Sequence, residues 1–342
     1  MNRLQLLMVF GGESSEHEVS VKSAKNVYAA VNKQKYDVRL SYIDKSGSWW
    51  LLPDWVDNPE EHRRNQVSIV PGSQQVRTIP DNDLIRIDVL FPVLHGKLGE
   101  DGSIQGLADM AHIPIVGCNV ESSALCMDKH ATKLILDTSG IPVVPWVTVR
   151  KGDSHAKAIK NIKVIDPNGP WFVKPSRAGS SVGVTRVTVA AEMSAAIETA
   201  HEHDNLALIE VAVIGRELEV AVLGNPPSHK ASDIGEIIAG SDFYDYDDKY
   251  SADSKSKTLL DAKLPKALTN VIRQQALETY EALGCTGLAR VDFLLSDDLM
   301  CFVNEVNTLP GFTDISMYPK LWGEKGVSYE ALVDRLIELA LE

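Results

Sequence analysis

Long apolar runs, paired cysteines and positive charge are all scarce in this chain of 342 residues. No segment supplies the roughly 20 uninterrupted apolar residues of a membrane span, which excludes a helical membrane partner for the chain itself. The opening MNRLQLLMVFGG has one short apolar run that stops at Gly11-Gly12. It is too short for a signal peptide and reads as a buried first strand. The four cysteines (Cys118, Cys126, Cys285, Cys301) form no C-x-x-C pair and have no histidine at metal spacing. They are expected to be free, mostly buried thiols in a cytoplasmic protein. Thirty-four basic against 47 acidic residues leave a formal charge of −13. Such a field repels nucleic acid and anionic membranes alike. ATP remains possible, provided lysines and arginines are gathered locally. The Walker A string and G-x-G-x-x-G are both missing, as are internal repeats and low-complexity tracts.

What is present is an ordinary globular composition, 44% hydrophobic and 24% charged. At roughly 100–200 residues per domain, the length predicts two or three packed units. Strand signals at Leu6 to Phe10, Val38 to Ile43 and Ile87 to Leu94 alternate with helical ones at Ser20 to Asn32 and Ser103 to Ala111. That alternation implies βαβ units and a parallel sheet. Residues 53–82, rich in Pro, Asn, Gln and charge, read as an irregular excursion. One helix is expected from Ser123 to Ser139, then strands at Trp146, Trp171 and Ala207 with a helix at Ala190 to His203. The last third carries strands from Leu218, Gly235, Leu288 and Met300, a polar acidic loop at 240–257, and helices at Pro265 to Leu283 and from Tyr329 onward.

The segment LARVDFLLSDDLMCFVNEVNTLPGF carries the strongest chemical signal. It reads as two strands joined by a Ser-Asp-Asp turn. Side-chain alternation puts Arg290 and Asp292 on one face, and Glu305 and Asn307 on one face together with Cys301 and Val303. Val291, Phe293, Phe302 and Val306 then take the opposite, packed side. Two carboxylates and an amide oxygen at neighbouring strand ends suit Mg²⁺, which completes its octahedron with waters and phosphates. Arg290 beside them is placed to stabilise charge on a reacting oxygen. Acidic strand ends are common on solvated hairpins, and the turn at Pro310-Gly311-Phe312 is what favours a site.

Phosphate grips come from elsewhere. An apolar strand delivers Lys174, and Gly179-Ser180-Ser181-Val182-Gly183 follows as a turn rich in N–H and hydroxyl donors. Lys129 opens a helix after Met127-Asp128. Either element alone is more often a plain hairpin or a surface lysine; with a metal site downstream they make a nucleotide site. The loop SDFYDYDDKYSADS can bring Lys249 and Tyr250 onto that site as a lid. Gly11 to Glu18 follows the first strand, where open α/β sheets bind ligands, and its acids suit an ammonium group. His95-Gly96 with Gly99-Glu100-Asp101-Gly102 forms a similar loop.

In combination, the strings FGGESSEHEVS, LHGKLGEDGSIQG, MDKHATK, VKPSRAGSSVGV, FYDYDDKY, GLARVDFLL and NEVNTLPGFTDISMYP resemble the D-alanine–D-alanine ligases of the ATP-grasp superfamily over essentially the whole chain. The resemblance implies an α/β, three-domain ATP-grasp fold, with divisions at residues 1–121, 122–212 and 213–342. It implies ATP as cosubstrate, two Mg²⁺ or Mn²⁺ ions, a homodimer, and a role in peptidoglycan precursor synthesis through an acyl phosphate. By the same resemblance Asp292, Glu305 and Asn307 hold the metals, and Lys129, Lys174, Ser181 and Lys249 meet the ATP phosphates. Glu210 and Glu217 meet adenine and ribose. Glu16 holds the first ammonium, with Ser180 and Tyr250 linking it to the lid and His95 beside that substrate. Arg290 and Gly311 form the oxyanion site; Ser316 and Met317 take the second carboxylate. Ala178 departs from a Glu found in some members. A ligase for D-lactate or D-serine, and a silent ATP-binding module of the same fold, are the competing readings.

Overall fold

The computed structural model describes residues 3–238 and 257–342. Among these residues the strands form three sheets. The first comprises β1 (Leu4–Gly11), β2 (Tyr36–Ile43), β3 (Trp49–Leu52), β4 (Asn65–Val70), β5 (Gln75–Ile79), β6 (Leu84–Arg86) and β7 (Val89–Val93), in the order β6-β5-β4-β3-β2-β1-β7. Leu6 through Phe10 are fully buried, as a continuous apolar run at the centre of a covered sheet must be. Only β1 pairs in parallel, with β2 and with β7. The other pairs are antiparallel, so the expected parallel sheet is corrected to a mixed one. Parallel neighbours need a long crossover, which α1 (His17–Ala30) supplies, whereas the short connections after β2, β4 and β5 can only turn back. The stretch 53–82 is likewise no irregular excursion, since it contains β4 and β5. Their half-exposed positions tolerate the polar residues that hid them. Helix α2 (Ser103–Met110) covers the sheet near β7.

The single helix expected from Ser123 to Ser139 is two, α3 (Val120–Met127) and α4 (Lys129–Thr138). Asp128 between them is extended, at φ −91° and ψ 99°. Its carboxylate accepts from the N–H groups of His130 and Ala131, both at 3.1 Å, and so caps α4. That cap starts a new helix at Lys129 and sets the direction of its side chain.

The second sheet has β8 (Trp146–Arg150), β9 (Trp171–Pro175), β10 (Thr185–Val187) and β11 (Leu206–Val211), ordered β10-β9-β11-β8. Helices α5 (His155–Ile165), which the sequence reading missed, and α6 (Met193–His201) share its core. The third sheet has β12 (Gly215–Leu223), β13 (Lys230–Ile238), β14 (Lys257–Leu259), β15 (Leu288–Ser296) and β16 (Cys301–Asn307), ordered β14-β13-β12-β15-β16 and antiparallel throughout. Helix α7 (Lys266–Ala282) packs on one face.

Chain order and core membership differ. Cys118, Cys126, Leu136 and Val143 belong to the core of the third sheet. Helices α8 (Met317–Glu324) and α9 (Tyr329–Ala340) return to the first sheet, where Tyr318, Leu332 and Leu336 pack with Leu6, Met8 and Phe10. The segment from Thr308 to Ser316 is thereby strung between the two cores. No described helix is long and apolar enough to cross a membrane.

Candidate active site

Register on the third sheet places Arg290 opposite Asn307 and Asp292 opposite Glu305. These four polar side chains share a face, as strand alternation requires. Beyond Asp292 the register shifts, because Asn304 is an extra residue on β16. This bulge reverses the parity of the residues before it. Cys301 and Val303, expected beside Glu305, are buried in the core with Phe293 and Leu295 instead. Phe302, expected in the core, lies opposite Leu294 on the other side. The bulge also turns Asn304 toward Lys174, whose Nζ stands 3.5 Å from its Oδ1.

Charge on this face is closely matched. Arg290 meets both oxygens of Asp292 in a fork, at 2.7 and 2.8 Å, and its Nε lies 3.2 Å from Glu219 Oε2. Burial opposes the guanidinium charge, but Asp292 and Glu219 outweigh it and push its pKa further up. Asn307 Nδ2 donates to Asp292 Oδ2 at 2.9 Å. Lys129 reaches from α4 to Glu305 Oε2 at 3.2 Å and donates to the Ala178 carbonyl at 2.9 Å.

A second charged cluster lies beside this one. Glu210, on β11, is 3.1 Å from Lys133 and 2.7 Å from Lys174. Burial alone would raise its pKa, but the two lysines outweigh burial and hold the carboxyl below its usual value.

Backbone geometry builds the other wall. Ser180 and Ser181 have φ of 50° and 60°, left-handed values that non-glycine residues rarely take, and Gly183 follows at 72°. The turn aims Ser180 Oγ at Glu16, to whose Oε1 it donates at 2.7 Å. Gly96, at φ +67°, passes so close to Glu16 that a Cβ there would lie 2.8 Å from its Oε2. His95 is buried, with Nδ1 3.0 Å from the Leu309 carbonyl oxygen. Burial lowers its pKa, and Glu16 only partly offsets that. Glu100 accepts from the Gly96 N–H at 2.9 Å, and burial, then the charge of Glu16, pushes its pKa up to about 8. Ser316 Oγ accepts from Thr313 N–H at 2.9 Å, which folds the 308–316 segment back across Gly311.

These walls enclose a cavity of about 760 Å³. Glu16, His95 and Ser180 line one side, and Arg290, Asp292, Glu305 and Asn307 the other. Lys129, Glu217, Gly311, Ser316 and Met317 complete the wall among the predicted residues. Lys174, Ser181 and Glu210 do not line it; Lys174 and Glu210 stand behind Asn304, which does. Lys249 and Tyr250 fall outside the described residues.

Glu100, Lys133, Glu219 and Asn304 are among the site residues that escaped sequence reasoning as participants. Two had a readable signal. Lys133 follows Lys129 by four positions, hence on one helix face. Glu219 follows Glu217 by two on a strand, hence on one sheet face. Burial of Glu100 and the bulge at Asn304 had none.

Among the described residues no group of three or more His, Cys, Asp and Glu side chains converges as a metal cage. Two carboxylates with one carboxamide instead form a hard-oxygen set of the kind Mg²⁺ takes alongside nucleotide phosphates, so these residues fit such an ion.

Three sheets, with Lys129 of α4 set against the carboxylates of the third sheet on one cavity, define an ATP-grasp ligase architecture. Comparison with known proteins agrees at the level of the family. The D-ala D-ala ligase N-terminus profile matches residues 5–118 and the D-ala D-ala ligase C-terminus profile residues 135–338. The D-alanine–D-alanine ligase of Proteus mirabilis is 43% identical over 357 residues, covering 100% of this chain and 96% of its own. Among solved structures, the VanG D-Ala:D-Ser ligase of Enterococcus faecalis superposes with a TM-score of 0.90 at 36% identity, over 99% of this chain and all of its own. The D-alanine-D-alanine ligase from Coxiella burnetii does so at 0.86 and 35%, over 99% and 95%. The chain belongs to the D-alanine–D-alanine ligase family, whose members are ATP-dependent ligases.

Proposed function

We propose that this protein joins two D-alanine molecules to D-alanyl-D-alanine, converting ATP to ADP and phosphate. One observation carries the reading: the Glu16–Ser180 hydrogen bond at 2.7 Å borders the same cavity as Arg290, Asp292, Glu305 and Asn307. An ammonium-binding carboxylate and a phosphoryl-transfer face thus share one enclosed space.

In the first step a D-alanine carboxylate oxygen attacks the γ-phosphorus, ADP leaves, and an acyl phosphate forms. Lys129, with Lys249, neutralises the transferring group and Glu217 takes the ribose. Lys174, Ser181 and Glu210, expected at phosphate and adenine, stand outside the cavity wall, where the Glu210 carboxylate pairs with Lys133 and Lys174. Asp292, Glu305 and Asn307 would hold Mg²⁺ or Mn²⁺, two ions in this reading, which when bound screen the phosphate charge. In the second step the amine of the second D-alanine attacks the acyl carbon, and phosphate leaves with the bonding electrons. Arg290 and the Gly311 N–H stabilise the oxyanion. Glu16 fixes the first ammonium beside His95, and Ser316 with the Met317 N–H fixes the second carboxylate. Tyr250, which lies outside the described residues and which the family resemblance assigns to a lid, would exclude water from the acyl phosphate. Substrate alignment of this kind supplies up to about 7–11 kcal/mol of a barrier. A cytoplasmic homodimer serving peptidoglycan precursor synthesis completes the reading.

Coupled phosphate release tests it. D-Alanine with ATP alone is expected to give release and a dipeptide. D-Lactate or D-serine added as acceptor should be ligated less well. No release with D-alanine alone overturns the proposal.

A further inference from the structure

Three of the four cysteines meet inside the third core, and they are not equivalent. Cys126, in the last turn of α3, has its Sγ 3.8 Å from the Sγ of Cys285, which follows α7. Cys118 directs its thiol to the Thr286 and Leu288 carbonyl oxygens, at 3.4 and 3.5 Å. Contact with the Cys285 sulfur, and then burial, pushes the Cys118 pKa well up. Contact with Cys118 acts downward on Cys285, but Cys126 and burial push that thiol well up too. Both thiols stay protonated, so exposure to the cavity is what separates the three. Cys118 and Cys285 are 1% and 0% exposed, whereas Cys126 is 5% exposed and, alone of the three, lines the large cavity. A small solute entering the cavity meets Cys126 first, with Cys285 directly behind it.

We propose that Cys126 is an oxidative modification site: hydrogen peroxide admitted by the cavity oxidises it, and Cys285 closes a disulfide that inactivates the enzyme reversibly. The sulfur of Cys126 attacks one peroxide oxygen and the O–O bond breaks. The departing hydroxide takes the thiol proton and leaves as water, so Cys126 becomes a sulfenic acid. Cys285 Sγ then attacks Cys126 Sγ and the S–O bond breaks. That hydroxide takes the Cys285 proton and leaves as a second water. Two thiols lose two electrons and two protons, and one peroxide is reduced to two waters.

The loss of activity has a mechanical cause, and it rests on the ligase reading. Bond formation draws the sulfurs from 3.8 Å to about 2.05 Å. The pull acts on the last turn of α3, immediately before Met127, Asp128 and Lys129. Asp128 caps α4 and also accepts from Ser176 Oγ at 2.6 Å, so its displacement moves the residues that aim Lys129 at Glu305. A misplacement near 1 Å costs on the order of 100-fold in rate.

The test uses the full chain, folded, treated with hydrogen peroxide, alkylated and mapped by non-reducing peptide mass spectrometry. A Cys126–Cys285 linkage is expected, with ligation reduced about tenfold or more and restored by dithiothreitol. Cys285→Ala should stop the reaction at a Cys126 sulfenic acid, trapped by dimedone. Cys118→Ala should leave the linkage intact, and keeps the test decisive if Cys285→Ala does not fold. A Cys118–Cys285 linkage, no linkage, or one formed only in urea overturns the proposal. So does a Cys126–Cys285 linkage that leaves ligation unchanged. Mapping is scored without an activity, so failure of the ligase reading shows separately, as untreated protein that releases no phosphate.

Discussion

Ser180 donates its hydroxyl proton to Glu16 Oε1 at 2.7 Å, across 164 residues of sequence. This contact joins the loop after β1 to the turn after β9 and holds the Glu16 carboxylate on the cavity wall. Ser180→Ala removes a hydrogen bond to a charged group, worth about 1.5–3 kcal/mol. We expect kcat/KM for D-alanine to fall by roughly 10- to 100-fold, with far-UV circular dichroism unchanged. Steady-state kinetics with wild-type values would remove Ser180 from the site.

Glu305 sits between Asp292, its register partner, and the Lys129 ammonium. Glu305→Gln keeps the shape and removes the charge. Ligation should fall further than the roughly 10- to 100-fold typical of groups that merely orient a metal ligand. Thermal unfolding should move little, since the residue is only partly buried. Turnover and Mg²⁺ titration together check this, and an unaltered Mg²⁺ dependence refutes the assignment.

Glu210 is buried between Lys133 and Lys174. Removing one partner of a buried pair costs about 3–5 kcal/mol. Lys133→Met should sit near the lower end, because Lys174 still faces the carboxylate. Urea unfolding measures the loss, and a change under about 1 kcal/mol would show the pair to be dispensable.

Glu100 binds its proton more tightly folded than unfolded, its pKa moving from 4.5 to about 8. Between those values the native state carries more protons, so its contribution is full below about pH 4.5 and is lost as pH rises toward about 8. Wild type should therefore lose stability relative to Glu100→Gln between about pH 5 and about pH 8. Parallel unfolding midpoints for the two proteins across that window contradict the buried-acid picture.

The sites easiest to read in the sequence were those built within one element or one hairpin. Arg290 and Asp292, like Glu305 and Asn307, are two apart on a strand, so alternation puts each pair on one face. The bulge at Asn304 brings the two pairs onto the same face. Lys129 was read as a cation candidate, but the Asp128 cap that starts its helix was not, since a single helix was expected across it. The parity of Cys301, Val303 and Phe302 failed at a single inserted residue, Asn304, since alternation carries no memory of a bulge. β4 and β5 were hidden because half-exposed strands accept the polar residues that also mark loops. Lys174 and Glu210 carried no sign that they would seal one another behind the cavity wall.

Sequence by itself determined the buried β1, the hairpin that presents the acids and, through its motifs, the family. Those features depend on periodicity and neighbours a few residues apart, which the chain encodes directly. Tertiary structure decided that Glu16 meets Ser180, that Glu100 stays protonated toward neutral pH, and that Cys126 faces Cys285. Such properties arise from desolvation and proximity between segments more than 80 residues apart in most cases, and only packing creates them.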